Sequence, residues 1–253
     1  MHILVVGGGM GGTILANNLA RRLSGELEQG SSKITMLSAS DKHMYQPGLL
    51  YVAVGKMSTT ELYRDQKSLL EPSIDFHVDP VEKFDLDNNS VTTKSGKKIS
   101  YDIICIATGS RGNAAGIPGL AENACQFYTE ADALAMYKKL QKFEGGKVVV
   151  ATGVPHKCPM SPLEITFFLI DYFKKRGIWD KVDLHYTYPI GRVHSLEPVA
   201  KWAAPEFDKE GVTYETLFNM KEVVPGKVIS EEDSSAEFDL LVTVPPHKGM
   251  QVI

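Results

Sequence analysis

The chain has 253 residues, 43% of them hydrophobic, and a formal net charge of −4 with a pI near 6.0. That length fills one large or two small domains with ordinary cores, and the mildly acidic balance offers no basic field for nucleic acid. No apolar run reaches the about eighteen residues that span a bilayer, no basic leader precedes the first apolar run, and three irregularly spaced cysteines fit neither a zinc site nor a secreted disulfide framework. A cytoplasmic protein is expected, in which any disulfide would be catalytic.

Residues 2–6 are an apolar run ending at Gly7, residues 13–23 carry apolar side chains at helical spacing, and residues 33–37 supply a second strand. Together they predict a parallel, right-handed βαβ unit. The connection Gly7-Gly8-Gly9-Met10-Gly11-Gly12 meets the G-x-G-x-x-G pattern between strand and helix. There Gly7 permits a tight turn, Gly9 with Met10 and Gly11 lets backbone amides reach a pyrophosphate, and Gly12 lets the helix pack closely on the strand. The plainer alternative is a glycine turn without a ligand, and the flanking strand and helix argue against it. The second strand of such a unit normally ends in a carboxylate that binds ribose. Here Leu37 is followed by Ser38 and Ala39, so a hydroxyl takes that place, and Asp41 is a less well placed substitute.

Residues 41–55 hold Tyr45, Gln46, Pro47, Gly48 and Tyr51 without a sustained period and read as an aromatic loop with a short helix. Residues 59–70 are expected to be helical and residues 75–77 to form a short strand. Two extended runs within residues 81–98, beginning at Val81 and turning at Asn88-Asn89, predict an accessory β-meander. Residues 102–107 hold a continuous apolar run after Asp102, the pattern of a strand buried on both faces. It ends at Ala107-Thr108-Gly109, read as a second approach of backbone to ligand, with a plain strand end as the alternative. The meander and this strand end favour FAD over NAD at the glycine loop.

Beyond the Pro118-Gly119 turn, residues 130–143 predict a helix, 147–151 a strand, 162–176 a helix closing at Gly177, and 183–187 and 240–244 further strands. Residues 228–236 read as a polar turn region. The expected architecture is α/β, with two Rossmann-like three-layer units: a nucleotide-binding region with its meander over residues 1–112, and a second region over residues 113–253 without a nucleotide fingerprint. Where that second fingerprint belongs stands Gly153-Val154-Pro155-His156-Lys157-Cys158-Pro159. Cys158 follows a histidine and a lysine and precedes a helix whose N-terminal amides favour a thiolate; packing in the loop is its alternative role. Glu164, in the first helical turn, can act as a base or offset the helix dipole. Cys105 lies in an apolar strand and reads as core, while Cys125 stays open between core and site. His194 and His247 read as solvated surface groups.

On residues 7–12, 38–48 and 107–109 and on Cys158, the chain resembles the sulfide:quinone oxidoreductase family and its flavocytochrome c sulfide dehydrogenase relatives, along essentially its whole length. The specific elements are Ser38-Ala39-Ser40-Asp41 in place of an acid, Tyr45-Gln46-Pro47, Ala107-Thr108-Gly109, and the thiols Cys125 and Cys158, 33 positions apart. The resemblance implies FAD held by Gly7, Gly9, Met10, Gly11, Gly12, Ser38, Ala39, Pro47, Val81, Ala107, Thr108 and Gly109. It implies sulfide and a quinone as partners: hydrosulfide attacks a disulfide or trisulfide involving Cys158, electrons pass through the flavin to the quinone, and sulfane sulfur accumulates as polysulfide. Cys125 and Cys158 would be the catalytic thiols and Glu164 the proton acceptor. The family's third thiol, its late Gly-Asp segment and its C-terminal amphipathic helices find no match here. The likeness is therefore to the N-terminal two thirds of such an enzyme, completed by a homo-oligomer or a complementing chain and peripheral to the inner face of the membrane.

Three readings compete. A type II NADH:quinone dehydrogenase shares the fold and the quinone, but needs a dinucleotide loop after Val148-Val149-Val150, where Gly153 is the one glycine between Ala151 and Ile165. A coenzyme A disulfide reductase would carry its nucleophile near the first loop, yet residues 41–55 hold no cysteine. From another class comes a non-catalytic FAD-binding fragment or subunit.

Overall fold

Residues 1–252 are described by a computed structural model, which divides them into two compact units. One holds Met1–Tyr45, Leu62–Ser110 and the chain from Gly249; the other holds Gln46–Glu61 and Arg111–Lys248. The polypeptide thus leaves the first unit after Tyr45 and re-enters it at Leu62.

The first unit begins with β1 (His2–Val6), α1 (Met10–Arg22), α2 (Ser24–Glu28) and β2 (Lys33–Ser38). It continues with β3 (Lys42–Met44), then, after α3 (Gly48–Ala53) of the other unit, β4 (Tyr63–Asp65) and β5 (Ile74–Val78). The meander follows as β6 (Val81–Asp85), β7 (Ser90–Thr93) and β8 (Lys98–Ser100), and β9 (Ile103–Ile106) closes the set. Four strands form a parallel sheet in the order β5-β2-β1-β9, with Val6 paired to Leu37 on one side and to Ile106 on the other. Alternate side chains of β1 explain the layers. Ile3 and Val5 face Ala16 and Ala20 of α1, whereas Leu4 and Val6 face Val91 and Tyr101 beneath the antiparallel meander. Each fully buried aliphatic of this kind contributes about 1.5–3 kcal/mol, so β1 is the strand on which both faces depend.

Two expectations need correction here. Residues 59–70 are not a helix: 3₁₀ turns at Thr59–Leu62 and Lys67–Leu69 flank β4, which pairs antiparallel with β3. The buried residues Leu62 and Gln66 keep a spacing of four, but the ribbon between them takes up the chain's hydrogen bonds. Nor is β9 buried on both faces, because Ile103 is 46% and Ile106 41% exposed. β9 is the sheet's edge, with β1 its one partner in that sheet, so its apolar run is not matched by burial.

The second unit follows β10 (Ser110–Gly112) with α4 (Leu120–Asn123), β11 (Ala124–Cys125), α5 (Glu130–Lys142), β12 (Gly146–Thr152), α6 (Ser161–Lys175) and β13 (Val182–Tyr188). Thr129 caps α5 by accepting the Asp132 amide at 3.1 Å. Then come α7 (Glu197–Glu210), β14 (Thr213–Thr216), β15 (Met220–Val224), β16 (Lys227–Ser230), β17 (Ser235–Glu237) and β18 (Leu240–Val244). The parallel sheet runs β11-β18-β12-β13-β14. Residues 228–236 are not a simple polar turn: β15, β16 and β17 form an antiparallel sheet whose Val223 and Val228 pack against Val149 and Leu241. Helix α7 has no counterpart among the expected elements because Pro198 and Pro205 interrupt its sequence, although Ala200, Ala203 and Phe207 mark its buried face.

In both sheets the strand order reverses beside an interior strand, between β1 and β9 and between β12 and β18. Ligands of open α/β sheets bind beyond the carboxyl ends of the strands at such reversals. At the first, Gly7 adopts φ +118°, and a Cβ there would lie 2.3 Å from the Ala107 carbonyl oxygen. Gly7→Ala should therefore cost about 1–3 kcal/mol in urea unfolding. Gly11→Ala, where a Cβ meets no atom within 4 Å, should leave stability unchanged or raise it by up to about 1 kcal/mol. Equal losses in the two variants would contradict the close approach.

Candidate functional site

At the first reversal the turn after β1 is held by Gly7 N donating to Leu37 O at 2.8 Å, and α1 starts with Thr13 N donating to Gly9 O at 2.9 Å. The N-cap of α1 is Gly9, which has no side chain to satisfy the amides of the first turn. Those amides, with the positive end of the helix dipole, make an anion-binding terminus. Nothing lies within 4 Å of a Cβ built on Gly9 or Gly11, and Met10 is exposed, so this face of the loop is open. A Cβ on Gly12 would instead fall 1.9 Å from Gly7 O, which makes that glycine obligatory for helix-to-strand packing.

Across the reversal, Ala107 N donates to Val6 O at 2.7 Å, and the buried Thr108 hydroxyl has no partner. An uncapped helix terminus, an open Gly9 and an orphaned hydroxyl on the facing strand end together fit a dinucleotide pyrophosphate. Ser38 closes β2 with its side chain turned inward: its Oγ accepts from Ser40 N at 3.2 Å, and a Cβ on Gly8 would approach it to 2.4 Å. Gly8, absent from the sequence-derived set, is thus kept a glycine by Ser38. Ala39 is exposed just beyond Ser38, and Val81 opens β6 with its side chain packed toward Val91 and Tyr101. Pro47 is exposed at the N-cap of α3 and belongs to the second unit.

At the second reversal Gly153 N donates to Val244 O at 2.8 Å, and a Cβ on Gly153 would lie 2.6 Å from Pro246 Cδ, so the turn after β12 meets the end of its facing strand as closely as Gly7 meets Ala107. His247 N to Pro155 O and Asn113 N to Pro246 O, both 2.6 Å, tie that ring in place. This contact was not legible from the glycine spacing, since Pro246 lies about ninety positions downstream.

Cys158 is half-buried in the loop after this reversal. Its carbonyl accepts from the Ser161 hydroxyl at 3.0 Å, and Ser161 Oγ lies 2.5 Å from the Tyr128 hydroxyl. Burial drives the Tyr128 phenol far above its usual range, so it is neutral and able to donate. Lys157 donates to Gln46 Oε1 at 2.7 Å; burial lowers its ammonium's pKa, against the opposing influence of the Cys158 sulfur. His156 has Nδ1 3.2 Å from Gly153 O and Nε2 3.3 Å from the Tyr188 hydroxyl, and burial lowers its pKa. A neutral ring with Nδ1–H donating to the carbonyl satisfies both contacts. Glu164 keeps solvent access, and partial burial still pushes its carboxyl above the ordinary range.

His194 and His247 are not the solvated groups expected. His194 is 0% and His247 8% exposed, with His194 Nδ1 accepting from Leu196 N at 3.0 Å and His247 Nδ1 2.9 Å from Pro245 O. His194 lies in the loop after β13 and His247 opens a short strand, His247–Gly249, and burial lowers both pKa values. Cys125 is 5% exposed on β11, paired beside Val242, and burial raises its pKa against a smaller opposing effect of Lys139. Cys105 packs under α1 and is raised by burial as well. All three thiols are free, and among the described residues no cluster of His, Cys, Asp and Glu could hold a metal ion. No described helix is long and apolar enough to cross a membrane.

A parallel sheet with a phosphate-type loop, an accessory meander and a second Rossmann-like unit defines the class of flavin-dependent, dinucleotide-binding oxidoreductases. A family profile for pyridine nucleotide-disulphide oxidoreductases matches residues 1–244, and the chain belongs to that family. It is 26% identical to the mitochondrial sulfide:quinone oxidoreductase of Mus musculus over 266 residues, covering 100% of this chain and 58% of the relative. The X-ray structure of the sulfide:quinone oxidoreductase of Aquifex aeolicus superposes with a TM-score of 0.85 at 27% identity, over 99% of this chain and 60% of that one. An alternative NAD(P)H-ubiquinone oxidoreductase of Arabidopsis thaliana is 24% identical over 203 residues, 72% of this chain and 38% of the relative. The resemblance read from the sequence is thereby borne out, and the chain spans under two thirds of the length of the relatives it matches.

The environments of the thiols predict an order of modification. Iodoacetamide followed by peptide mass mapping should label Cys158 first, Cys105 more slowly and Cys125 last, because burial shields Cys125 and keeps its thiol protonated. Labelling of Cys125 ahead of Cys158 would reverse the assignment of the accessible thiol.

Proposed function

We propose that this chain binds FAD at the loop of residues 7–12 and serves the oxidation of sulfide to sulfane sulfur, with electrons passed to a quinone. The observations that carry this reading are the first reversal, where Gly9 is open before an uncapped helix start and the Thr108 hydroxyl has no partner, and the free Cys158 in the loop after the second. When bound, the flavin would supply the two-electron relay between sulfur and quinone. The amides of Gly9, Met10 and Gly11 would face its pyrophosphate, the Thr108 hydroxyl would donate to it, and Ser38, Ala39 and Val81 would border its adenosine end. Pro47 and Gly109 complete the proposed set.

In the sulfur half of the reaction, hydrosulfide attacks a sulfur bridge at Cys158, leaving a persulfide on one sulfur and releasing the other as thiolate. Tyr128 and Ser161 hold the Cys158 main chain, and Lys157 offers positive charge beside the sulfur. Glu164 takes the proton of the incoming sulfide, for which a raised pKa suits it. Cys125 is assigned as a second thiol, slowed by burial. The proposed partners are sulfide and a quinone, met on the cytoplasmic side at the inner membrane face, with a second copy or another chain in the assembly.

The similarity to an NAD(P)H-ubiquinone oxidoreductase supports a second reading, in which NADH is the reductant, and a non-catalytic flavin-binding subunit is a third. Anaerobic reconstitution with FAD separates them. Bleaching of the flavin absorbance by sulfide supports the first reading, bleaching by NADH the second, and retention of flavin with no bleaching by either the third. Cys158→Ser should retain FAD and lose sulfide-dependent bleaching; unchanged bleaching kinetics would overturn the role of this thiol. Gly9→Val should fold normally and weaken FAD binding at least about tenfold, since its side chain occupies the open approach to the amides. The rate of bleaching should rise with pH through an inflection above the ordinary glutamate range, as Glu164 becomes the carboxylate that accepts the proton. Glu164→Gln should remove that inflection, and its persistence would exclude Glu164 as the base.

A further inference from the structure

Beneath the glycine loop lies a buried polar network that the proposed redox chemistry does not use. His43, on β3, directs Nδ1 at the Gly8 carbonyl oxygen at 3.1 Å and at Gln66 Oε1 at 3.0 Å, with the Thr13 hydroxyl at 3.5 Å. Gln66 is 0% exposed and follows β4; its main-chain N donates to Asp41 O at 2.7 Å, and its Nε2 donates to Thr13 Oγ1 at 2.9 Å. Thr13, in the first turns of α1, has its hydroxyl 3.4 Å from Gly8 O.

Donor and acceptor chemistry fixes the hydrogens. The Gln66 amide nitrogen faces the threonine hydroxyl, so its oxygen faces His43. Gly8 O can only accept. Nδ1 of His43 therefore meets two acceptors and must carry a hydrogen, while Thr13, receiving from Gln66, turns its own hydrogen toward Gly8 O. The Gly8 carbonyl is thus pulled inward from two sides. A peptide bond is planar and trans, so its C=O and N–H point in opposite directions. With the Gly8 carbonyl turned in, the Gly9 amide must point out, toward the open face of the loop. A peptide between two glycines has no Cβ to oppose a flip, and a flipped peptide would present a carbonyl oxygen to a phosphate.

We propose that His43 is a positioning residue: its Nδ1–H, oriented by Gln66, latches the Gly8–Gly9 peptide so that the Gly9 amide faces the dinucleotide pyrophosphate. This inference rests on the flavin reading for its ligand, and its geometry can be tested without one. Long-range ¹H–¹⁵N NMR of the ligand-free protein should find the neutral His43 ring protonated at Nδ1; a ring protonated at Nε2 overturns the latch. FAD titration of variants supplies the second arm. Asparagine carries its amide nitrogen near the position of Nδ1, whereas glutamine carries it near Nε2. His43→Leu and His43→Gln should each weaken FAD binding by about tenfold, as the loop then presents the amide in only about a tenth of molecules. His43→Asn should stay within about twofold of the parent. A leucine variant that binds FAD as the parent does, or an asparagine variant as weak as the leucine one, overturns the proposal. If the parent protein itself binds no FAD while His43 is protonated at Nδ1, the flavin reading fails. The latch is then decided by amide exchange at Thr13 and Gly7, which should quicken in the leucine variant and would overturn the latch by staying the same.

Discussion

Two backbones meet where β1 ends, and the close approach of Gly7 to the Ala107 carbonyl governs much of the first unit. It brings the edge strand β9 against the central strand, aims the start of α1 past the sheet, and leaves no room for any side chain at the turn. The packing of Gly12 on Gly7 repeats the requirement one helical turn later. Removing side chains here exposes amides, and an exposed row of amides at a helix start is a feature that an anion can complete.

The same sheet plan occurs twice in the chain and is put to different uses. In the first unit the crevice at the reversal stays open, and its orphaned groups call for a polar ligand. In the second, the turn after β12 lies against Pro246, and the loop beyond it carries Cys158, whose carbonyl accepts from Ser161, itself in contact with the Tyr128 hydroxyl. The turns differ without a change in strand order, and in folds of this kind function resides in the turns that follow the strands.

Much of this was legible in the sequence. The βαβ start, the meander, the strand at residues 240–244 and the thiol loop announce themselves through period, turn pairs and glycine spacing, all local signals. What escaped reading was non-local. The edge position of β9 hides behind an apolar run indistinguishable from that of a central strand, and the strands at Lys227–Ser230 and Ser235–Glu237 hide in polar sequence because only one face is buried. Pro246 and Gly153, or His43 and Gly8, come together only once the sheets are formed. Gly8 illustrates the point most simply: it falls on a free position of the fingerprint, and the reason it must lack a side chain is Ser38 on another strand.

The ring of Pro246 also bears on what the turn after β12 can tolerate. A Cβ on Gly153 would lie 2.6 Å from Pro246 Cδ, so a larger side chain at the first position must displace the ring at the second. Although about ninety residues separate them in the chain, a change at one alters what the other can accept, and the pair behaves as a single position of the fold.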